Sequence, residues 1–126
     1  MTSRGFTLLE LLIVVVIIGI LAAFAIPRFA NTKEKAYVGQ MKSDLRNIST
    51  AQEAFFYDSM KYTASKVQLN NFVESRGVTV NILFADSKGW SAEARHTQTA
   101  RMCALYNGVV ASPPAPATSE GHITCT

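Results

Sequence analysis

A single carboxylate, Glu10, stands at the head of a long uncharged run, Leu11 to Ile26. A lone acid near bilayer depth costs about 2.5–3.5 kcal/mol on insertion scales, so it calls for a cationic partner. Two other groupings invite chemistry. His96, Cys103, His122 and Cys125 include the ligand-like spacing His122-x-x-Cys125. The histidines fall on different elements, however, and in an exported chain the two cysteines would form a disulfide, so no metal is expected. Ala23-Phe24-Ala25 fits a signal-peptidase site behind an apolar core, against which Pro27 stands just past the cut. No H-E-x-x-H, G-x-S-x-G or phosphate-binding glycine loop occurs, and no nucleophile–base–orienter set is ordered by the sequence. The chain is not expected to be an enzyme or to carry a cofactor.

The element that positions Glu10 is an apolar helix. About 16 uncharged residues give about 24 Å of helix, slightly short of a hydrocarbon core of about 30 Å. Adding Phe6 to Leu9 completes one membrane span if Glu10 is tolerated inside it. Mean hydropathy over the whole chain is only +0.15, which excludes a multispanning protein. Arg4 favours a cytoplasmic N-terminus, although Arg28, Lys33 and Lys35 beyond the span weaken that bias. Gly19 to Pro27 is a built-in weak point, because proline cannot donate to the carbonyl of Ala23.

Past Pro27 the pattern turns one-sided. Tyr37, Met41, Leu45, Ile48, Gln52, Phe55 and Phe56 recur at helical spacing, and charges such as Lys42, Asp44 and Arg46 fill the other faces. One helix from Phe6 to Tyr57 is predicted, membrane-spanning in its first half and amphipathic in its second. Ser65-Lys66-Val67-Gln68 fits a capping box opening a short helix, with Leu69, Phe72 and Val73 inward and Gly77 past its end. Three runs then read as strands: alternating Val78, Val80, Ile82, Phe84; alternating Trp90, Ala92, Ala94, His96; and Arg101 to Tyr106. Ser112 to Ser119 holds three prolines and is an exposed loop. The fold class is α+β: a long helix packed on a small antiparallel sheet of three to four strands. The net charge of +3 is spread among acids, which argues against nucleic acid as the main partner. The aromatics Phe55, Phe56, Tyr57, Tyr62 and Trp90 read as core.

Gly5-Phe6-Thr7-Leu8-Leu9-Glu10, with Gly19 and Pro27 behind it, closely resembles the N-terminus of type IV pilins and type II secretion pseudopilins. The resemblance is specific over about the first 30 residues and architectural beyond them, ending in a C-terminal disulfide-closed loop between Cys103 and Cys125. It implies that a membrane prepilin peptidase, which is also the methyltransferase, cuts after Gly5 and methylates Phe6. It further implies the organisation 1–5 leader, 6–27 membrane and assembly helix, 28–58 amphipathic half, 59–77 connecting loop with a short helix, and 78–126 sheet and C-terminal loop. The expected function is a pilin that polymerises with copies of itself. The new Phe6 amine would pair with Glu10, on an adjacent subunit or its own, and together they form the assembly contact. Partners implied are the bilayer, the inner-membrane pilus assembly machinery and the peptidase. The precursor would sit in the bacterial inner membrane as a single-pass protein and later in an extracellular filament.

Three other readings stay open. A major pseudopilin would form a periplasmic fibre by the same chemistry; many bind calcium in a C-terminal loop, where this chain offers only Glu120. Cleavage after Ala25 would release a soluble binding or enzyme domain. A single-span sensor would not be cleaved at all.

Overall fold

A computed structural model describes residues 1, 2 and 4–126 of the chain. These form one long helix, α1 (Leu8–Ser59), followed by four strands: β1 (Val78–Ala85), β2 (Gly89–His96), β3 (Met102–Gly108) and β4 (Thr124–Cys125). The chain divides into two units, Met1–Lys33 and Glu34–Thr126, and α1 runs through the boundary.

In the first unit the helix starts at Leu8, two residues later than the sequence pattern predicts, because Thr7 acts as its N-cap. The Thr7 carbonyl already accepts from the Leu11 amide at 3.2 Å, the first bond of the helical ladder. The helix continues without a break across Gly19 and Pro27.

In the second unit the amphipathic pattern becomes a core. Met41, Leu45, Ile48 and Gln52 are fully buried, and Val38 nearly so, on one stripe of α1. Val38, Met41, Leu45 and Ile48 pack with Val80, Trp90, Ala92 and Ala94 from the sheet. Gln52 is polar yet buried, and both its amide atoms are used: Nε2 donates to the Thr63 carbonyl at 2.6 Å, and Oε1 accepts from the Thr63 amide at 3.0 Å. That pair pins the chain as it leaves the helix. Tyr37 stacks on His96, the last residue of β2, with ring centroids 4.3 Å apart.

The sheet is fully antiparallel in the order β1-β2-β3-β4. Inward Val78 and Val80 alternate with exposed Thr79 and Asn81, as the period-2 pattern predicts. A bulge at Leu83 shifts the register between Ile82 and Phe84. At the β2–β3 hairpin, Gly89 faces Gly108, and a side chain at Gly108 would meet the Lys88 carbonyl at 2.2 Å. With φ at +74° as well, that position suits glycine. The fourth strand is only two residues long, and Cys103 and Cys125 are register partners joined by a disulfide.

Three local expectations are corrected, the first being Tyr57, which was expected in the core and is exposed. Ser65 makes no side-chain cap, and the predicted helix reduces to a 3-10 turn, Lys66–Gln68. Gln68 instead accepts from the Thr63 hydroxyl, which removes the reciprocal bond that a capping box needs. Leu69 and Phe72 do pack inward, but Val73 is exposed. Asp44, read from the sequence as part of a solvated face, is buried: its two oxygens accept from the Ser75 amide and hydroxyl, each at 2.7 Å. Helical periodicity cannot reveal a partner 31 residues away.

Candidate functional site

The N-terminal segment gathers the residues singled out for processing and assembly. Gly5 lies outside the helix, and a side chain built there would meet nothing within 4 Å. Phe6 is 82% exposed. The Gly5–Phe6 bond thus lies outside the helix between two exposed residues.

Glu10 is held by a reciprocal pair that sequence reading missed. Its Oε2 accepts from the Thr7 amide and from the Thr7 hydroxyl, both at 2.8 Å, and the Glu10 amide donates back to the Thr7 hydroxyl at 3.2 Å. This is a capping box, and its signal, Thr-x-x-Glu before an apolar run, stood in the sequence. The box satisfies orphan donors of the first turn and places a negative charge at the positive end of the helix dipole. Oε1 makes no hydrogen bond among the described residues, so one carboxylate oxygen stays free at the exposed end of the helix.

Beyond this cap, Leu8 to Phe29 presents apolar side chains on every face. The most apolar stretch of α1 has a mean hydropathy of 3.0 and no buried residue. Gly19 has open space where a side chain would be. Nothing in this unit's own fold covers the surface, so another phase or another molecule must. Ala23-Phe24-Ala25 sits in mid-helix with its backbone engaged, unlike Gly5–Phe6.

The other candidates lie elsewhere. Cys103 and Cys125 are spent in their disulfide, His96 stacks on Tyr37, and His122 is exposed in the C-terminal segment. The structure does not bring these four together as a ligand set.

The family model for the prokaryotic N-terminal methylation motif matches residues 1–26. In this segment and the helix that follows, the chain is similar to type IV pilins and type II secretion core proteins. It is 48% identical over 61 residues to the type IV major pilin protein PilA of Myxococcus xanthus, a match covering 48% of this chain and 28% of that protein. It is 38% identical over 73 residues to the type II secretion system core protein G of Escherichia coli, covering 58% of this chain and 50% of that one. The type IV major fimbrial protein FimA of Dichelobacter nodosus is 47% identical over 59 residues, or 47% and 37% of the two chains. The chain thus spans half or less of the length of these relatives. The methylation-motif match takes in Gly5, Phe6, the capped Glu10 and most of the uncovered stem.

Proposed function

We propose that this chain is a pilin, a structural subunit that polymerises through α1 after cleavage following Gly5 and methylation of Phe6. The observation that carries the reading is the first half of α1: a helix apolar on all faces, covered by nothing in its own fold, and headed by one anchored carboxylate with a free oxygen. Before assembly the bilayer covers Leu8 to Phe24; afterwards the same residues of neighbouring copies do. Cutting after Gly5 removes Arg4 and creates an ammonium on Phe6. In low dielectric either charge alone is costly, whereas the pair is tolerable. The Thr7 amide and hydroxyl fix Oε2 of Glu10, and Oε1 is left to accept from the Phe6 amine of a neighbour. Gly19, Ala22 and Ala23 let helices approach closely. Pro27 leaves the Ala23 carbonyl without its helical donor, so the Gly19–Pro27 stretch is where the helix yields during assembly.

Its partners are copies of itself, the prepilin peptidase and methyltransferase, the inner-membrane assembly machinery and the lipid bilayer. Its locations are the inner membrane and then a surface filament. No enzymatic role is assigned. A second reading, a pseudopilin forming a periplasmic fibre, is favoured by one observation: the Escherichia coli secretion core protein matches a larger share of this chain than the Myxococcus pilin does.

The test is mass spectrometry of subunits from sheared fibres, with imaging of cells carrying Glu10→Ala. Expected are a mature chain beginning at methylated Phe6 and a variant that is exported but does not assemble. A mature chain beginning at Ile26, or normal fibre yield from Glu10→Ala, overturns the reading. Fibres confined to the periplasm select the pseudopilin.

A further inference from the structure

Two hollows flank the sheet-facing stripe of α1 in the second unit, and their charges are opposite. One, of about 490 Å³, is lined by Lys42, Arg46, Ser49 and Thr50 from the helix and by His122 and Ile123 from the C-terminal segment. The other, of about 190 Å³, is lined by Ala54, Phe55 and Asp58 from the helix and by Gln68, Asn70 and Asn71 from the connecting loop. Among the described residues, the side chains of Lys42, Arg46 and Asp58 make neither an ion pair nor a hydrogen bond. The cations elsewhere that do pair use local acids: Lys66 with Glu74 and Arg95 with Glu93.

The helix geometry makes this more than a scatter of surface charge. At about 100° per residue, Asp58 lies about 120° from Arg46 and about 160° from Lys42 across the exposed face of α1, and the buried stripe Met41, Leu45, Ile48 and Gln52 separates them on the opposite, sheet-facing side. A cationic hollow on one flank and an anionic one on the other cannot meet within one copy. Two identical copies set side by side can bring them together. Because the two surfaces differ, such a contact is heterologous, and it propagates from copy to copy instead of closing a two-fold dimer.

We infer that the Lys42–Arg46 hollow receives the Asp58 hollow of a second copy of this chain. This is a lateral contact in the water-exposed half of the fibre, separate from the pairing of Phe6 with Glu10. It rests on the filament reading above and supplies register where apolar packing of the stems does not. Lys42 and Arg46 provide charge, Ser49 and Thr50 provide hydroxyls, and the amides of Gln68, Asn70 and Asn71 surround the incoming pair. An exposed pair of this kind contributes modestly in each contact, about two- to five-fold in affinity, and the repeat along a fibre multiplies it.

The test uses the full chain in membranes and in sheared fibres. Arg46→Cys and Asp58→Cys are introduced singly and together, and mild oxidation is followed by non-reducing electrophoresis. The double variant should give a ladder of dimers, trimers and higher forms. Each single variant should stay monomeric, and a mixture of the two should give dimers. In parallel, Arg46→Glu should lower fibre yield several-fold, and adding Asp58→Arg should restore it. Fibres without a ladder overturn this inference alone, as do dimers from either single variant. An Arg46→Glu loss that Asp58→Arg leaves unrepaired also overturns it, pointing to a small anion in the hollow. A ladder in membranes that never yield fibres leaves this contact standing and overturns the filament reading instead.

Discussion

The two halves of α1 are built from the same repeat and meet opposite fates. From Leu8 to Phe29 nearly every side chain is apolar and exposed, while from Val38 to Gln52 a single apolar stripe is buried to completion. The second half is finished by its own chain, through the sheet and the connecting loop. The first half is finished only by something outside the chain. An apolar helix that its own fold leaves bare is thus the part whose energetics belong to the membrane or the assembly, and its substitutions should be read there.

The largest effect that separates the halves comes from paired truncations. Leu45→Ala opens a cavity in a fully packed site and should cost about 2–5 kcal/mol. Leu12→Ala, on the uncovered stem, should change the melting of the second unit by no more than about 0.5 kcal/mol while lowering fibre yield. Thermal unfolding of the full chain in detergent micelles, set beside fibre imaging, measures both. Equal melting losses from the two variants would erase the distinction.

Next in size is the disulfide. Cys103 and Cys125 are 22 residues apart, and in the chain-entropy model a loop of that size contributes about 3 kcal/mol. The double variant Cys103→Ser/Cys125→Ser should melt more than ~10 °C lower. The change acts on the second unit alone, so membrane insertion of the precursor should be unaltered, as carbonate extraction would reveal.

How far the sequence could lead differs between the halves for a physical reason. Patterns with a local period were legible: the apolar span, the inward stripe Met41-Leu45-Ile48-Gln52, and the alternation of Val78, Val80 and Ile82. Contacts set by distant residues were not. Asp44 is buried because Ser75 comes to meet it; the exception is the cysteine pair, Cys103 with Cys125, which was expected and does form. The Thr7–Glu10 box is a different case, since its signal is local. It was overshadowed because a carboxylate beside an apolar run draws attention to a distant partner, when a nearer one already holds half of it.

That box yields the third prediction. If Glu10 matters only as a cap, Thr7→Ala and Glu10→Ala should impair assembly equally. If its free oxygen binds a neighbouring amine, Thr7→Ala should cost about 1 kcal/mol of helix-end stability and leave fibres, while Glu10→Ala removes them. Comparing fibre yields of the two variants at matched expression decides between these outcomes.

The smallest effect lies in the second unit, at Glu74. Partial burial pushes its carboxyl up, but bonds from Lys66 and the Val80 amide, each at 2.7 Å, together with the Lys66 charge, outweigh burial and hold it below its ordinary value of 4.5. The folded form therefore favours the ionised carboxylate. Its stabilisation is complete above the ordinary carboxylate range and is lost as pH falls through the lowered folded value. Both side chains keep about a third of their exposure, so the gain is at most about 1 kcal/mol. Between pH 6 and pH 3 the melting temperature should fall more steeply for the unaltered chain than for Glu74→Gln, by a few degrees. The loss should leave the stem untouched, because among the described residues the Glu74 carboxylate bonds only to Lys66 in the connecting loop and Val80 in β1. An identical acid profile in both chains would mean that Lys66 and Val80 hold the loop without help from the charge.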